Sequence, residues 1–204
     1  TNNGFDWTQG VNWSTSPGAV DNGQTVRNLY YQAQLNWARS FGKHNATAMG
    51  LFSRQENARG SVMPTYREDW AFRVTYNYAD RYLGTYTYRY DGSSNFGPEN
   101  RWAGFHSLAT SWRFSNETFF EPLKKVISNG KLRLGWGQTG NANIGGYAWG
   151  TSMSRMPSGL GMGYRPSNIP NTSIKWESQE QWNVGVDLGF LHDRINLTVE
   201  WYKK

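Results

Sequence analysis

Alternation with a period of two dominates this chain. In WAFRVTYNY, residues 70–78, Trp70, Phe72, Val74, Tyr76 and Tyr78 share one face, and Ala71, Arg73, Thr75 and Asn77 share the other. QWNVGVDLGF repeats the pattern, with Trp182, Val184, Val186, Leu188 and Phe190 opposed to Asn183, Gly185, Asp187 and Gly189. INLTVEW sets Ile195, Leu197, Val199 and Trp201 against Asn196, Thr198 and Glu200, and LYYQAQLNW gathers Leu29, Tyr31, Ala33, Leu35 and Trp37. Side chains of a strand point alternately to opposite faces, so one apolar and one polar face mark half-buried antiparallel strands. With further candidates near 45–54, 82–91, 102–114 and 131–139, the pattern predicts about eight strands.

The connections predicted between them alternate in length. Residues 41–44, 79–81 and 191–194 are short turns, whereas 55–67, 91–101 and 140–178 are polar, Gly-rich stretches expected to form long loops. The connection 115–130 contains ETFFEPLKKVIS, which is expected to hold a helical turn. Short turns on one rim and long loops on the other describe an up-and-down transmembrane barrel. Strand length agrees, since ~9 to 11 tilted residues cross a bilayer. Aromatics also cluster toward strand ends, as at Trp70 and Tyr78, Trp182 and Phe190, and Trp201 and Tyr202. A soluble β-sandwich alternates as well, with its apolar face turned inward, and alternation alone leaves both architectures open.

Composition sharpens the choice. Leu, Ile, Val and Phe total 36 of 204 residues, a low share, and the apolar mass is made up by 11 Trp and 12 Tyr. Those side chains join an apolar body to a polar tip and suit a surface where hydrocarbon meets water. The net charge is +6, yet the basic residues are scattered, with Lys124–Lys125 and Lys203–Lys204 as the only doublets. No nucleic-acid partner is expected. The absence of cysteine excludes disulfides, thiolate zinc sites and thiol catalysis within the chain. No apolar run approaches the ~18 to 20 residues of a membrane-spanning helix. TNNGFDW carries neither an initiator Met nor a signal-peptide pattern, so the sequence is expected to begin after processing or inside a longer protein.

Few motifs point to chemistry. Gly135, Gly137 and Gly140 match the glycine spacing of a dinucleotide-binding loop and follow the strand-like KLRL. Such a loop needs a helix directly after it to hold the pyrophosphate. NANIGGYAWG has no helical period, and RMPSGLGMGYR supplies no acidic residue at the ribose position, so that reading fails. Gly135 and Gly137 are instead expected on the polar face and Leu134 and Trp136 on the apolar one, with Gly140, Gly145 and Gly146 turning the chain away. RYDGSSNFGPENRW places Gly92 and Ser93 where a calcium loop needs oxygen ligands, and it reads as a structural turn. His44, His106 and His192 show no zinc spacing, and no Ser sits in a nucleophile elbow. Asp187 and Glu200 could face each other across the last hairpin, as an acid–base pair or within a hydrated network. No enzyme activity, cofactor or metal is expected, and no residue is assigned to catalysis or cofactor binding.

YLGTYTYRYDGSSNFGPENRWAGFHSLATSWRFSNETFF resembles a barrel signature of the SusC/RagA-like TonB-dependent outer-membrane transporters. The matching positions are Arg89, Asp91, Gly92, Ser93, Ser94, Phe96, Gly97, Asn100, Arg101, Trp102 and the pair Trp112–Arg113. LRLGWGQTGNANIGGY and IKWESQEQWNVGVDLGFLHDRINLTVEWYKK are similar to two further segments of that family. The resemblance implies an all-β, antiparallel barrel of 22 strands, of which 1–204 would be about eight, with plug domain and signal peptide outside the sequence. It implies an importer of glycan or peptide fragments in the outer membrane of a Gram-negative bacterium. Partners implied are a SusD-like lipoprotein, the TonB complex through the plug, and outer-membrane lipid. A complete eight-stranded barrel serving as adhesin or structural protein, and a soluble carbohydrate-binding sandwich, are the alternatives. In the small barrel the strand near 195–202 would pair with the one near 29–40; in the sandwich the Trp70/Phe72/Val74 face would be buried. Tyr147, Trp149 and Tyr164 could stack on sugar rings, or pack against a capping lipoprotein or one another, and the substrate-binding residues are unknown.

Overall fold

The computed structural model describes residues 6–14, 25–60, 62–158 and 161–204. Antiparallel strands form on all the alternating stretches, and several run on beyond them. They are β1 (Asp6–Ser14), β2 (Val26–Phe41), β3 (His44–Arg59), β4 (Val62–Tyr78), β5 (Tyr82–Ser93), β6 (Trp102–Trp112), β7 (Ile127–Asn141), β8 (Met153–Ser158), β9 (Gly161–Pro166), β10 (Glu177–Phe190) and β11 (Ile195–Lys203). Nine make one meandering sheet in the order β1-β2-β3-β4-β5-β6-β7-β10-β11, and β8–β9 is a separate hairpin between β7 and β10.

The eight expected strands are all present, and three were unanticipated: β1 and the β8–β9 pair. The stretch 55–67 is a correction. It does not loop; β3 runs out to Arg59 and β4 resumes at Val62, with a tight turn carrying Gly60 at φ +54° between them. Its composition is polar because Gln55, Glu56, Asn57 and Arg67 lie beyond the apolar part of strands that project well past it. The expected short turns are found at Gly42–Lys43, 79–81 and 191–194. Ala79 and Asp80 both take φ +54° without glycine, and the Asn77 amide donates to Asp80 Oδ1 at 2.6 Å across that turn. The helical turn expected in 115–130 is two 3₁₀ segments, Phe114–Asn116 and Thr118–Lys125.

The sheet is open. Among the described residues β11 pairs only with β10 and β2 is flanked by β1 and β3, so the closure of a small eight-stranded barrel does not occur. The sandwich reading does not hold either, because among the described residues no second sheet packs on the apolar face: Trp70, Phe72 and Val74 are 40%, 50% and 51% exposed. The same face carries Tyr86, Leu108, Leu134, Trp182, Val184, Val199 and Trp201, all exposed and contiguous through the strand register. Soluble monomers rarely expose a continuous patch of that extent.

Register also gives the inclination of the strands. On β4 the apolar band ends at Trp70, with Glu68 beyond; on β10 it ends at Trp182, with Glu180 beyond. Trp70 lies opposite Tyr90 and through it Gly104, whereas Trp182 lies opposite Trp136 and through it Leu108, four residues lower on β6. That offset is ~13 Å along the strand, over four interstrand steps spanning ~19 Å. Levelling the aromatic edge therefore inclines the strands by about 35°, inside the ~35–45° of transmembrane barrels. The other edge repeats the offset: the row from Tyr78 runs through Tyr82, Trp112 and Leu132 to Val186, and Phe190 lies four residues further.

Candidate functional site

The polar face carries most of the charged side chains paired across the strands. On β4 and β5, Arg67 donates to Asp69 at 2.9 Å, Arg89 bridges to Asp91 at 3.1 Å, and Ser53 donates to Asp69 at 3.3 Å. Further along, Thr75 and Thr85 share a hydrogen bond of 3.2 Å and Arg73 donates to Thr87 at 3.4 Å. A second network centres on Arg133, which donates to Asp187 at 2.8 and 3.0 Å and to Glu200 at 3.4 Å. Thr198 donates to the same Asp187 at 3.0 Å. Arg133, Gly185 and Glu200 form one row across β7, β10 and β11, so the guanidinium crosses directly over Gly185. A Cβ on Gly185 would stand 3.1 Å from its Nη2. Glycine is what lets one arginine reach two strands away. The arginines of these pairs stay solvent-accessible while Asp69 and Asp91 lie lower in the sheet surface, and ion pairs with one exposed partner are worth little, ~0–1 kcal/mol each. They order a hydrated surface more than they hold the fold.

The outer rim, where the long connections lie, is built differently. Asp91, Ser93, Ser94, Phe96 and Phe105 are buried there, and Phe96 has no exposed surface at all. Backbone bonds fold DGSSNFG back on the sheet: Ser93 N–H donates to Arg101 O at 3.1 Å, and Ser94 N–H donates to Tyr66 O at 2.9 Å. Tyr66 N–H in turn donates to Ser94 Oγ at 2.9 Å. Phe96 stacks on Trp176 at 4.9 Å, and Phe105 meets the same indole edge-on at 5.7 Å. The 140–178 connection is tied to this knot. Asn95 donates to Ala142 O, Asn100 to Thr172 O, Trp149 to Ser94 O, Trp176 to Arg101 O and Tyr147 to Pro64 O. Three glycines leave room for rings or chain. A Cβ would stand 2.8 Å from Trp102 at Gly92, 2.0 Å from Phe105 at Gly140, and 3.4 Å from Thr172 O at Gly97.

The residues singled out from sequence now have places. The polar-face assignment of Gly135 and Gly137 holds, since their missing side chains face Asn183 and Ser107. Gly140 is a correction: it is not a hinge but the floor under Phe105, whereas Gly145, at φ +87°, does turn the chain. DGSSNFG is the structural turn expected, with its serines spent on backbone partners. Asp187 and Glu200 do not face each other as an acid–base pair, because Arg133 lies between them. His44 and His106 share hydrogen bonds with Tyr76 at 2.7 Å and Tyr86 at 2.8 Å, and His192 sits in a turn at φ +60°. Tyr147 and Trp149 pack 6.5 Å apart and spend their polar tips on the rim, while Tyr164 is exposed on the hairpin under Arg155. Sequence reasoning missed the Arg133 bridge and the Arg67–Asp69–Asp91–Arg89 cluster. A strand glycine flanked in register by a charge on either side was the available signal, and reading it needs the pairing.

Comparison with known proteins accords with this geometry. A protein-family model described as "TonB dependent receptor-like, beta-barrel" matches residues 1–204. The TonB-dependent receptor SusC of Bacteroides thetaiotaomicron is 40% identical over 140 residues, covering 64% of this chain and 14% of its own length. TonB-dependent receptor P3 of Formosa agariphila is 28% identical over 213 residues, covering 88% of this chain and 21% of its own. The chain thus spans about a fifth or less of the curated relatives it matches. Structures of the RagAB peptide importer in its 'closed-closed' and 'open-open' states superpose with TM-scores of 0.77 and 0.76 at 22% identity. They cover 88% of this chain and 24% and 23% of theirs.

Proposed function

The chain belongs to the TonB-dependent receptor β-barrel family, and from that premise we propose that it forms part of the wall of an outer-membrane nutrient importer. The carrying observation is the sheet itself: a continuous apolar face toward lipid, a charged and hydroxylated face toward a wet lumen, and strands inclined as a barrel requires. Nine strands make an arc of the 22-stranded wall that the resemblance implies. The solute is a glycan or peptide fragment, moving past the Arg133 and Arg67–Asp91 networks. Uptake is driven by the TonB complex through a plug carried elsewhere in the protein. Chemistry has no part in this reading, and the polar face serves passage.

The outer rim supports a partner above the barrel. The β8–β9 hairpin projects Met153, Met162 and Tyr164 outward, and Ile169 follows it almost fully exposed. These apolar side chains suit a surface lipoprotein of the SusD type. The decisive experiment uses adjacent positions of β11. In the full-length protein in outer membranes, Thr198→Cys should react with a membrane-impermeant maleimide and Val199→Cys should not. Equal labelling of both positions would sink the proposal. Co-purification of the lipoprotein, lost on deleting 153–166, tests the partner.

A further inference from the structure

The inner-rim connection between β6 and β7 is shaped as a membrane-surface element, a feature separate from transport. In a 3₁₀ helix residues i and i+3 lie on one row. Along Thr118–Lys125 one row is Phe120, Leu123 and then Val126; the next is Phe119, Pro122 and Lys125; the third is Glu121 and Lys124. Two rows are thus mainly apolar and one is charged. Phe120 is buried against Phe114 at 5.2 Å, and the remaining apolar groups are not covered: Phe119, Leu123 and Val126 are 63%, 52% and 62% exposed.

The segment is fixed beneath the lipid-facing side of the sheet. Trp112, in the aromatic row with Tyr82, meets Phe114 at 5.9 Å and Phe119 at 6.3 Å. Its indole donates to Glu117 at 3.3 Å, and Arg81 donates to the same carboxylate at 3.1 Å. The Phe114 ring lies on Gly130, where a Cβ would be 2.1 Å away. The exposed apolar residues therefore continue the apolar band past its lower aromatic edge, with Lys124 and Lys125 between Leu123 and Val126 in the last turn.

We propose that Phe119, Leu123 and Val126 insert into the inner leaflet and that Lys124 and Lys125 bind the phosphates of its anionic phospholipids. The proposal rests on the barrel reading above. Long lysine stems reach from an apolar surface to the interface, and a lysine near an anionic membrane surface contributes about a fivefold preference over a zwitterionic one. The connection is then an anchor fixing the depth of this part of the wall.

The test places single spin labels on the full-length protein in vesicles of phosphatidylcholine and phosphatidylglycerol. Labels at Leu123→Cys, Val199→Cys and Asp193→Cys are compared for collision with oxygen and with a water-soluble nickel chelate. Position 123 should resemble 199, rich in oxygen and shielded from nickel, and 193 should be the reverse. In addition, the K124E/K125E variant should lose the motionally restricted phosphatidylglycerol signal that the parent shows, leaving that of phosphatidylcholine unchanged. If 199 is shielded and 123 is as nickel-accessible as 193, the anchor is wrong and the barrel stands. If 199 is itself open to nickel, both readings fall. An unchanged phosphatidylglycerol signal in K124E/K125E would overturn the headgroup assignment.

Discussion

Replacing Val186 by arginine puts the two-faced sheet to its most direct test. Val186 lies on the apolar face between Leu132 of β7 and Val199 of β11. It is four residues from Trp182 and four from Phe190, the two aromatic ends of the band on β10. Each half is ~13 Å of strand, or ~11 Å of depth at the inclination found here, so Val186 is at the middle of the hydrocarbon. A charged side chain at that depth costs ~2–4 kcal/mol, against ~0–1 near the interface. The control is Asn183→Arg, three residues away on the opposite face, where Gly135 alongside leaves space for the longer chain. Urea unfolding from phospholipid vesicles, followed by tryptophan fluorescence, should show V186R destabilised by one to three orders of magnitude in equilibrium constant and N183R nearly unchanged. Trp182→Arg should fall close to N183R. Equal losses at 186 and 183, or none at 186, would refute the assignment of faces and the membrane depth together.

Phe96→Ala should cost ~3–5 kcal/mol locally, as for other buried aromatics, and raise hydrogen–deuterium exchange across 140–178 while the strands at the inner rim stay protected. Gly140→Ala forces its new methyl into Phe105, which Trp176 holds in place, so ~1–3 kcal/mol is expected; the F105A/G140A double variant should be more stable than the sum of the single losses allows. Glu117 gives a pH dependence. Its carboxylate is held below the usual range by a hydrogen bond from Tyr82, then by the Trp112 indole and Arg81. A depressed folded value means that the stabilisation is present above the ordinary glutamate pKa of ~4.3 and is lost as pH falls through the lower folded value. Protease access to 113–126 should rise in that acidic window, and Glu117→Gln should be open at neutral pH with no such transition.

What the sequence made legible was the choice of face at each position, because alternation is a local property. Trp70, Phe72 and Val74, or Leu134 and Trp136, could be assigned without knowing any neighbour. The long loops were read by composition, and there the reading was uneven. Residues 55–67 are polar because both strands outrun the bilayer, and a strand in water needs no apolar face to declare itself. The β8–β9 hairpin, MSRMPS and GMGYRP, carries prolines and glycines that ordinarily demote a strand, and it survives as an isolated pair outside the sheet.

Short turns made the hairpin neighbours legible, but the exact register and the contacts reaching beyond one neighbour were not, and the site is made of them. Arg133 meets Glu200 only because Gly185 falls between them in register, a fact that belongs to three strands at once. Gly140 reads as a hinge until Phe105 is seen to occupy the space above it. Phe96 likewise reads as an apolar residue stranded in turn chemistry, and only its stacking partner, Trp176, eighty positions on, shows why it is there. In each case a glycine or aromatic in one of these segments meets a residue of another: Phe96 of DGSSNFG meets Trp176 of IKWE, Arg133 of LRLG crosses Gly185 of NVGVD, and Gly140 of GQTGN lies under Phe105 of WAGFH. The three signature segments are thus one object in space. Their glycines are set by the side chains that cross them and their aromatics by the connection they clamp, so a substitution in one segment should be compensated only by a change in its partner segment and not within its own.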